Sequence, residues 1–564
     1  MEAAAAPVRL WVRTEPFLVG VLPVPPPARL APHYLRKMAA YTRARAAEGC
    51  FPRLSWPRWR HIACGKLRLG RDLAWLYFEL FHGLLRREPA GRLEWAEAEA
   101  ACASAEELER ERSKLSVDTL QFLLFLYIQQ VNKVSLRRSL VGEEWPSPRS
   151  RSPSLAGKAS SHNKNWDDQE HLAFLQSHLS ELLELLLEPA GPRPAAPRAV
   201  PLAAARALGL LLEGALRACG CGAARGCGCG CGAVRPLHQL ALCPPCRRPS
   251  GYCEASRAFS LPQLESWLRS CLTANPFGMS ACLRAGKKLA WAQQVEGATR
   301  RAKIACSTRG GPEESSMVIM SQVYRQTLAK SSDTLVGAHV RIHRCNESFV
   351  YLLSPLRSVT IEKCRSSTFV LGPVQASLHV HSCASVTVIA VCHRLCLAAC
   401  TGCTFHTLTP TQPLLLPGNH ALTLAPYHTH YPALEDHMAQ VGLATLPNRW
   451  AEPLLLCSER ADAVFRLLPP SDLYSFVIPF EMEGDTTETP GGLPPAYQRA
   501  LRRREQKVQA WQKAVKEAAL SREQRKQFQA LVESKFYEWL VATGHRLQLD
   551  SLLPPAPGPQ QAAG

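Results

Sequence analysis

The sequence predicts an α+β multidomain protein, with a short right-handed parallel β-helix between an α-helical N-terminal region and a helical C-terminal tail. Three observations support this prediction. The chain has 564 residues, which is more than a single hydrophobic core usually serves. A repeat of about 18 residues runs from 336 to 427, as in stacked β-coils. On both sides of it, apolar residues recur at three- and four-residue spacing, as in amphipathic helices.

Four cysteines mark the repeat, at intervals of 19, 19 and 17 residues: Cys345, Cys364, Cys383 and Cys400. Around each one, sequences typical of β-strands flank a short polar corner, as in IEKCRSSTFVLG. One coil cannot bury its apolar face alone, so neighbouring coils stack and share a core. We therefore expect the four thiols to fill equivalent inward positions, one above the next, as small apolar groups.

Changes in composition divide the chain into five predicted regions. A boundary is placed where Pro, Gly and Cys replace the apolar periodicity of a packed element, or where that periodicity returns. The regions are an α-helical N-terminal region (1–188), a Pro/Gly/Cys-rich linker or insertion (189–255), a helical connector (256–295), the β-helix domain (296–436) and a C-terminal region with helices (437–564).

Helical spacing predicts individual elements on both sides of the repeat. In the N-terminal half the predicted helices are 72–88, 93–115, 116–131, 168–189 and 203–220. Ser116 is the expected N-cap of the helix that follows it. In the tail, 496–520 is the clearest helix, and Ser521 with Gln524 forms a capping box for the next one.

The net charge of +19 favours acidic partners, such as nucleic acid, an anionic membrane or the acidic tails of tubulin. The arginines are scattered, however, and they suit a surface that keeps a large protein soluble equally well. No basic groove interleaved with aromatic residues is visible, so we expect no nucleic-acid partner. No apolar run reaches the roughly 18 residues of a membrane span. No secretory leader is visible either, so we expect the 22 cysteines to be reduced thiols in the cytosol.

Two patterns could hold a metal ion, and both have a simpler interpretation. Cys243 and Cys246 have zinc-type spacing and follow a Gly-Cys tract at 219–232, but no second pair stands at a matching distance. A low-complexity insertion of undetermined role is therefore favoured. His379 and His381 share one face of a strand, which is more typical of a half-exposed polar face than of a metal site. We expect no metal and no cofactor.

The chain lacks the sequence motifs of common enzymes. It has no phosphate-binding loop, no paired-histidine zinc helix and no nucleophile elbow, so an ordinary hydrolase or ATPase is not supported. The tail helices carry Lys, Arg and Gln on several faces. They form either a solvated surface or a coil that binds a partner through apolar anchors at Trp511, Phe528 and Trp539.

Four short stretches of the repeat carry a family resemblance: FVLGPV (369–374), Val391-Cys392, TQP (411–413) and LAPYHTHYP (424–432). In this order and spacing they resemble the cofactor C-like (C-CAP) domain of tubulin-binding cofactor C and the X-linked retinitis pigmentosa protein. Further stretches extend the resemblance to most of the chain: RHIACGKL (60–67), SVDTLQFLLFLYIQQVNKVSLR (116–137), NPFGMSACL (275–283), QVYRQTLAKSSDTLVGAHV (322–340) and FEMEGDTTETPGGLP (480–494).

In the active relatives, this resemblance implies a GTPase-activating module whose arginine finger enters the nucleotide site of tubulin or of an Arl-type GTPase. The finger position falls on Cys396, the position of a family glutamine falls on His393, and a nearby acidic contact falls on Leu416. A thiol cannot replace a guanidinium, and a missing finger costs about 10³–10⁵ in rate. Arg394 shares a strand face with Cys396 but lies about 6.6 Å away along the chain.

The resemblance therefore implies a non-catalytic adaptor at the centrosome and spindle poles, within the cytoplasm and cytoskeleton. It would help to set the position of centrosome and Golgi, and thereby cell shape and migration. The expected binding surface contains His393, Arg394, Cys396 and Leu416. Expected partners are centrosomal or cytoskeletal proteins, with tubulin and a small GTPase as candidates. The alternatives are a GTPase activator that uses Arg394, a tubulin-folding cofactor and an actin-monomer regulator like the cyclase-associated proteins, which share the coil architecture.

Overall fold

The computed structural model describes residues 8–43, 52–85, 88–131, 168–187, 198–216, 233–288, 303–309, 315–457 and 459–543, together with 546 and 549. These residues form two compact units. The first, here called the helical unit, draws on Met1–Arg87, Cys102–Ala285 and Thr308–Glu314. The second, the β-helix unit, draws on Glu88–Ala101, Gly286–Ser307 and Ser315–Gly564. The Gly-Cys tract at 219–232 lies outside the described residues.

The helical unit packs short helices around an aromatic core. The rings of Trp59 and Phe122 meet edge to face at 4.9 Å, and Phe81 lies 5.2 Å from Phe122. All of these rings are fully buried. The helices are Glu15–Gly20, Pro32–Arg43, Trp56–Arg60, Arg71–Leu85, Ala105–Ser113, Thr119–Ile128, Asp168–Leu185, Leu202–Ala207, Leu237–Leu242, Pro244–Arg247, Leu261–Cys271 and Met279–Ala285, with a π-helical turn at His61–Lys66.

Small antiparallel sheets complete this unit. Val8–Val12 pairs with Leu212–Leu216, which pairs in turn with Val234–Pro236. The helix predicted over 203–220 is therefore wrong at 212–216, because a strand about 200 residues away in the chain pairs with this stretch, while 217–220 lie outside the described residues. Shorter pairs join Ala199–Pro201 to Ala258–Ser260, Ala258–Ser260 to Tyr252–Cys253, and Leu54–Ser55 to Ser116–Val117.

Two helix boundaries differ from the sequence prediction for a local reason. The N-cap of Thr119–Ile128 is Asp118, whose carboxylate accepts from the backbone N–H of Gln121 at 2.8 Å. Ser116, the predicted cap, lies instead in a strand.

The predicted helix 93–115 is also two helices, Pro89–Ala100 and Ala105–Ser113. A capping box begins the second one, because Ser104 accepts from the N–H of Glu107 and Glu107 accepts from the N–H of Ala103.

The β-helix unit is a solenoid of about six turns built from parallel strands, as the cysteine repeat predicts. Its first ladder contains Ser315–Ser321, Ala338–His343, Leu356–Glu362, Thr368–His381, Leu395–Ala398, Leu414–Leu415 and Leu454–Leu455. Its second ladder contains Thr327–Lys330, Phe349–Leu352, Thr368–His381, Thr387–Cys392, Thr404–Leu408, Leu422–Pro426 and Phe465–Leu467. The 14-residue strand Thr368–His381 belongs to both ladders.

The cysteines of the repeat occupy the predicted inward positions. Cys345, Cys364, Cys383 and Cys400 are all buried, and the N–H of Cys345 donates to the sulfur of Cys364 at 3.3 Å. This cysteine column ends at Asn419, whose side-chain oxygen accepts from the N–H of Cys400 at 3.0 Å. An asparagine thus closes the column by hydrogen bonds where the next coil lacks a thiol.

The corners that carry these cysteines share a backbone shape. In each one, a residue with positive φ comes directly before the cysteine and another comes two residues after it. Around Cys364, for example, φ is 54° at Lys363 and 44° at Ser366. Most of these positions are not glycine, although L-residues disfavour this region. The stacking of equivalent corners supplies the compensating hydrogen bonds, such as Arg365 N–H to the carbonyl of Cys345 at 3.0 Å.

Further layers cover the β-helix and extend from it. Buried residues on the outer side of the second ladder, including Tyr351 and Ile389, pack against the helix Leu434–Val441 and partly buried residues of the segment 476–482. The remaining helices are Ala461–Val464, Pro495–Glu517 and Arg522–Thr543. The capping box of the last one is confirmed, with Ser521 and Gln524 bonded reciprocally at 3.0 and 3.3 Å. None of the described helices is both long enough and apolar enough to cross a membrane.

Candidate functional site

The predicted binding surface centres on the strand Leu395–Ala398 of the first ladder. Leu395 and Leu397 point into the core between the ladders, so Arg394 and Cys396 face outward by strand alternation. In register, Cys396 lies between His379 on one neighbouring strand and Leu414 on the other. Cys396 is 3% exposed, and so is Arg394. The residue at the predicted finger position is therefore buried.

The thiol of Cys396 is chemically quiet. Burial raises its pKa to about 12, and the nearby charge of Arg394 offsets only part of this effect. The side chain is therefore a protonated thiol at neutral pH. A thiol in that state is neither a nucleophile nor a metal ligand.

His393 lies at the edge of the same site and is half-buried. Its N–H donates to the carbonyl of Val374 at 3.0 Å. Its own carbonyl accepts from the hydroxyls of Thr409 at 3.1 Å and Thr411 at 2.7 Å. Thr411 begins the TQP stretch, so that stretch fixes the backbone at His393.

Leu416 directly follows the short strand Leu414–Leu415. It is 1% exposed, and its N–H donates to the carbonyl of Leu397 at 2.9 Å. The structure thus brings Cys396 together with Arg394, just before its strand, and Leu416, just after the neighbouring strand of the same ladder, with His393 at the margin. Of these four residues, only His393 is more than marginally exposed.

A charged cluster centred on Glu362 was missed by sequence reasoning. The Glu362 carboxylate is 1% exposed, accepts from Arg341 Nη2 at 2.6 Å, and lies 3.0 Å from His381 Nε2 and 3.6 Å from His343 Nε2. Burial alone raises the pKa of Glu362, but the hydrogen bond from His381 and the charge of Arg341 outweigh it and lower the pKa to about 2. The signal was present: residues 343, 362 and 381 are 19 apart, which is the period of the repeat.

The histidines of this face are held by protein groups. His379 Nε2 lies 3.0 Å from the hydroxyl of Ser377, and burial lowers its pKa to about 3. Burial likewise lowers the pKa of His343 to about 4. Among the described residues, no group of three or more His, Cys, Asp or Glu side chains is arranged to hold a metal ion. Cys243 donates instead to the carbonyl of Gln239 at 3.3 Å.

A cavity of about 600 Å³ lies beside the second ladder, lined partly by the stretches 428–432 and 486–489. Its wall combines apolar side chains such as Phe476 and Ile478 with the hydroxyls of Thr486 and Thr487. His428 also lines it and stacks on His406, with 3.9 Å between ring centroids. Burial and the neighbouring His406 lower the pKa of His428 to about 2. The imidazole that His428 contributes to the cavity wall is therefore neutral at physiological pH.

Comparisons with known proteins agree with this geometry. The family model for tubulin binding cofactor C matches residues 337–454, which contain most of the solenoid and the Cys396 site. The chain is 70% identical to TBCC domain-containing protein 1 of Gallus gallus, over 99% of this chain and 100% of the relative. It is 62% identical to the protein of that name in Homo sapiens (99% of each chain) and 53% identical to that of Danio rerio (98% and 95%).

The chain belongs to the TBCC domain-containing protein 1 family. This membership confirms the cofactor C-like domain that the stretches 369–374, 411–413 and 424–432 predict. Because the matches span nearly the whole chain, the helical unit and the tail are part of the family's sequence as well.

Proposed function

We propose that this protein is a non-catalytic centrosomal adaptor that acts through its cofactor C-like domain. One observation supports the proposal: Cys396, the residue onto which the family resemblance places the arginine finger, is a buried and protonated thiol. A finger works by placing positive charge beside the transferring phosphoryl group. A neutral, buried side chain offers no such charge, so binding is the activity that remains for this domain.

The neighbouring arginine is a poor replacement. Arg394 is 3% exposed, and its carbonyl is engaged by the N–H of Leu378 at 2.8 Å. A finger must extend into the partner's nucleotide site, and a displacement of even 1 Å is costly in such sites. To serve as a finger, Arg394 would have to leave its buried position and compensate for about 6.6 Å along the strand.

The adaptor role assigns binding to several parts of one chain. The cofactor C-like domain binds a centrosomal or cytoskeletal partner, for which tubulin and a small GTPase are candidates. The net charge of +19 favours acidic protein surfaces. Placement at the centrosome and spindle poles, and a role in positioning centrosome and Golgi and in cell shape and migration, are carried over from the family resemblance.

The first test is fluorescence imaging of the tagged full-length chain beside a pericentriolar marker, with microtubules intact and then depolymerised. A focal signal that survives depolymerisation is expected. A diffuse signal would contradict the adaptor role.

The second test is rescue. In cells that lack the endogenous protein, the full chain should restore the short distance between centrosome and nucleus, and a chain without 336–427 should not. Equal rescue by both chains would assign the function to the other parts of the protein.

GTPase activation is the second candidate, because Arg394 lies two residues from Cys396 and directly precedes its strand. It is tested by GTP hydrolysis of tubulin or an Arl-type GTPase in the presence of the full chain. We expect basal rates with both the wild type and Arg394→Ala. Acceleration by the wild type that Arg394→Ala abolishes would establish this candidate instead.

A further inference from the structure

The last helix of the described chain, Arg522–Thr543, presents large apolar side chains to solvent. Leu531 is 57% exposed, Val532 41%, Phe536 55% and Trp539 47%. A ring contact of 5.8 Å between Phe528 and Trp511 joins this helix to the preceding one. In proteins, most of the stability of a helix comes from the packing of its apolar face against other groups. So long a helix with so much exposed apolar surface is therefore suited to packing against a partner.

Exposed apolar residues occur on several sides of the helix, including Tyr537 and Val541, but four apolar residues line up along one side, and of these Phe528 is half-buried against Trp511. Phe528, Val532, Phe536 and Trp539 follow one another at intervals of four, four and three residues, which places them along one side. We call these four residues the apolar stripe. Val541 is nine residues beyond Val532, so it lies on the opposite side of the helix. It is 53% exposed and is thus a matched reference position.

Charge is divided unevenly along the same helix. Its first half carries Arg522, Glu523, Arg525 and Lys526, for a net charge of +2. Its second half carries Glu533, Lys535 and Glu538, for a net charge of −1. The two halves are therefore complementary to each other. A parallel pair of such helices would set like charges together, whereas an antiparallel pair sets the basic half against the acidic half.

We propose that a second copy of this chain covers the apolar stripe, in an antiparallel pair of Arg522–Thr543 helices. A two-fold axis at Val532 sets Phe528 of one copy beside Phe536 of the other, because both lie four residues from the axis. Such an interface is self-complementary, as two-fold interfaces in homodimers are. It is independent of the Cys396 site, so the dimer stands or falls separately from the adaptor role.

Sedimentation equilibrium of the full chain tests the dimer. As concentration rises to about 100 µM, which reaches even weak pairs, the mass should rise from 62.2 kDa toward twice that value. Val532→Glu places a charge in the stripe and should weaken association at least about tenfold, which corresponds to 1.4 kcal/mol. Val541→Glu makes the same change on the opposite side and should leave association unchanged. Far-UV circular dichroism checks that both variants keep their helix content.

Charge reversal tests the antiparallel orientation. Arg525→Glu with Lys526→Glu makes both halves acidic and should weaken the dimer, as should Glu533→Lys with Glu538→Lys, which makes both halves basic. All four changes together should restore association. If the wild-type chain remains at 62.2 kDa, the dimer is overturned. It is likewise overturned if Val532→Glu and Val541→Glu have equal effects on association. In either case, another protein or a membrane surface would be the partner that covers the apolar stripe. If neither double substitution changes the strength of association, the antiparallel orientation is overturned.

Discussion

Arg341 and Glu362 form an ion pair inside the β-helix unit, with 2.6 Å between Nη2 and Oε1 and side-chain exposures of 10% and 1%. The pair joins consecutive strands of the first ladder, and His381 on the third strand approaches the same carboxylate from the other side. Glu362 therefore links three successive coils. Because His343 and His381 each lie 19 residues from Glu362 and pair with it in register, the cluster depends on the correct register of the coils.

Replacing Glu362 with Gln should destabilise the β-helix unit by about 3–5 kcal/mol, because the change leaves Arg341 buried without its counter-charge. Urea unfolding of the full chain provides the measurement. The matched control is Glu347→Gln, which removes an ion pair with Arg325 of the same 2.6 Å length on the exposed surface. That change should cost only about 0–1 kcal/mol. Equal losses of unfolding free energy in the two variants would show that the buried ion pair of Glu362 stabilises the protein no more than the exposed pair does.

The stacked pair of His406 and His428 should make stability depend on pH. Burial lowers their pKa from the ordinary 6.5 to about 4 and about 2, so the unfolded chain takes up protons before the folded chain does. Stability is therefore fully present above about pH 6.5 and falls as the pH is lowered toward 4 and below.

In urea titrations between pH 6 and 4, His428→Phe should reduce this slope by up to about 1.4 kcal/mol per pH unit. The exposed His420 provides the control, since His420→Phe should leave the slope as it is. An unchanged slope in His428→Phe would mean that this ring is accessible to protons in the folded state.

Gly372, within the FVLGPV stretch, should tolerate no side chain. A Cβ placed there would lie 2.2 Å from the carbonyl oxygen of Ser354, a backbone atom that cannot turn away. Gly372→Ala should therefore cost at least about 1–3 kcal/mol. Gly209→Ala is the comparison, since a Cβ at Gly209 meets nothing within 4 Å, and it should be neutral or stabilising by about 0.4–1 kcal/mol. Thermal unfolding of the two variants provides the measurement. Similar unfolding midpoints would contradict the close approach between residue 372 and the carbonyl oxygen of Ser354.

Cysteine labelling should separate the finger position from the surface. Cys253 is exposed, and hydrogen bonds from Ser256 lower the pKa of its thiol, so an alkylating reagent should modify it readily at neutral pH. Cys396 is buried with a raised pKa, so its labelling should be slower by on the order of 100-fold or more, through transient opening. Mass spectrometry of peptides from native full-length protein gives both rates. Comparable rates would show that the finger position is open to a partner.

The solenoid was predictable because its sequence repeats with the period of its structure. Each of the four cysteines reports one coil, and the corners impose the same backbone shape at every level. The Glu362 cluster was harder to predict, because residues 19 apart must also be known to face outward together. The strand 212–216 was not predictable from local spacing, since its pairing partner, Val8–Val12, is some 200 residues away.

The candidate site was also predictable in part: its location followed from the sequence, and its burial did not. Spacing and resemblance placed His393, Arg394, Cys396 and Leu416 close together, and in the structure all four lie in or directly beside two neighbouring strands, because parallel coils preserve sequence order in space. Their burial could not be read from the sequence, since exposure depends on everything that packs against the ladder. The roles of these four residues in binding stay predictions.

One consequence follows from the strand Thr368–His381, which belongs to both ladders. Elsewhere the chain passes between the ladders through turns, but here both ladders share one continuous stretch of extended backbone. A pulling force applied to either face reaches the other through covalent bonds, without first unbending a loop. This coil is therefore the part of the solenoid best built to bear tension.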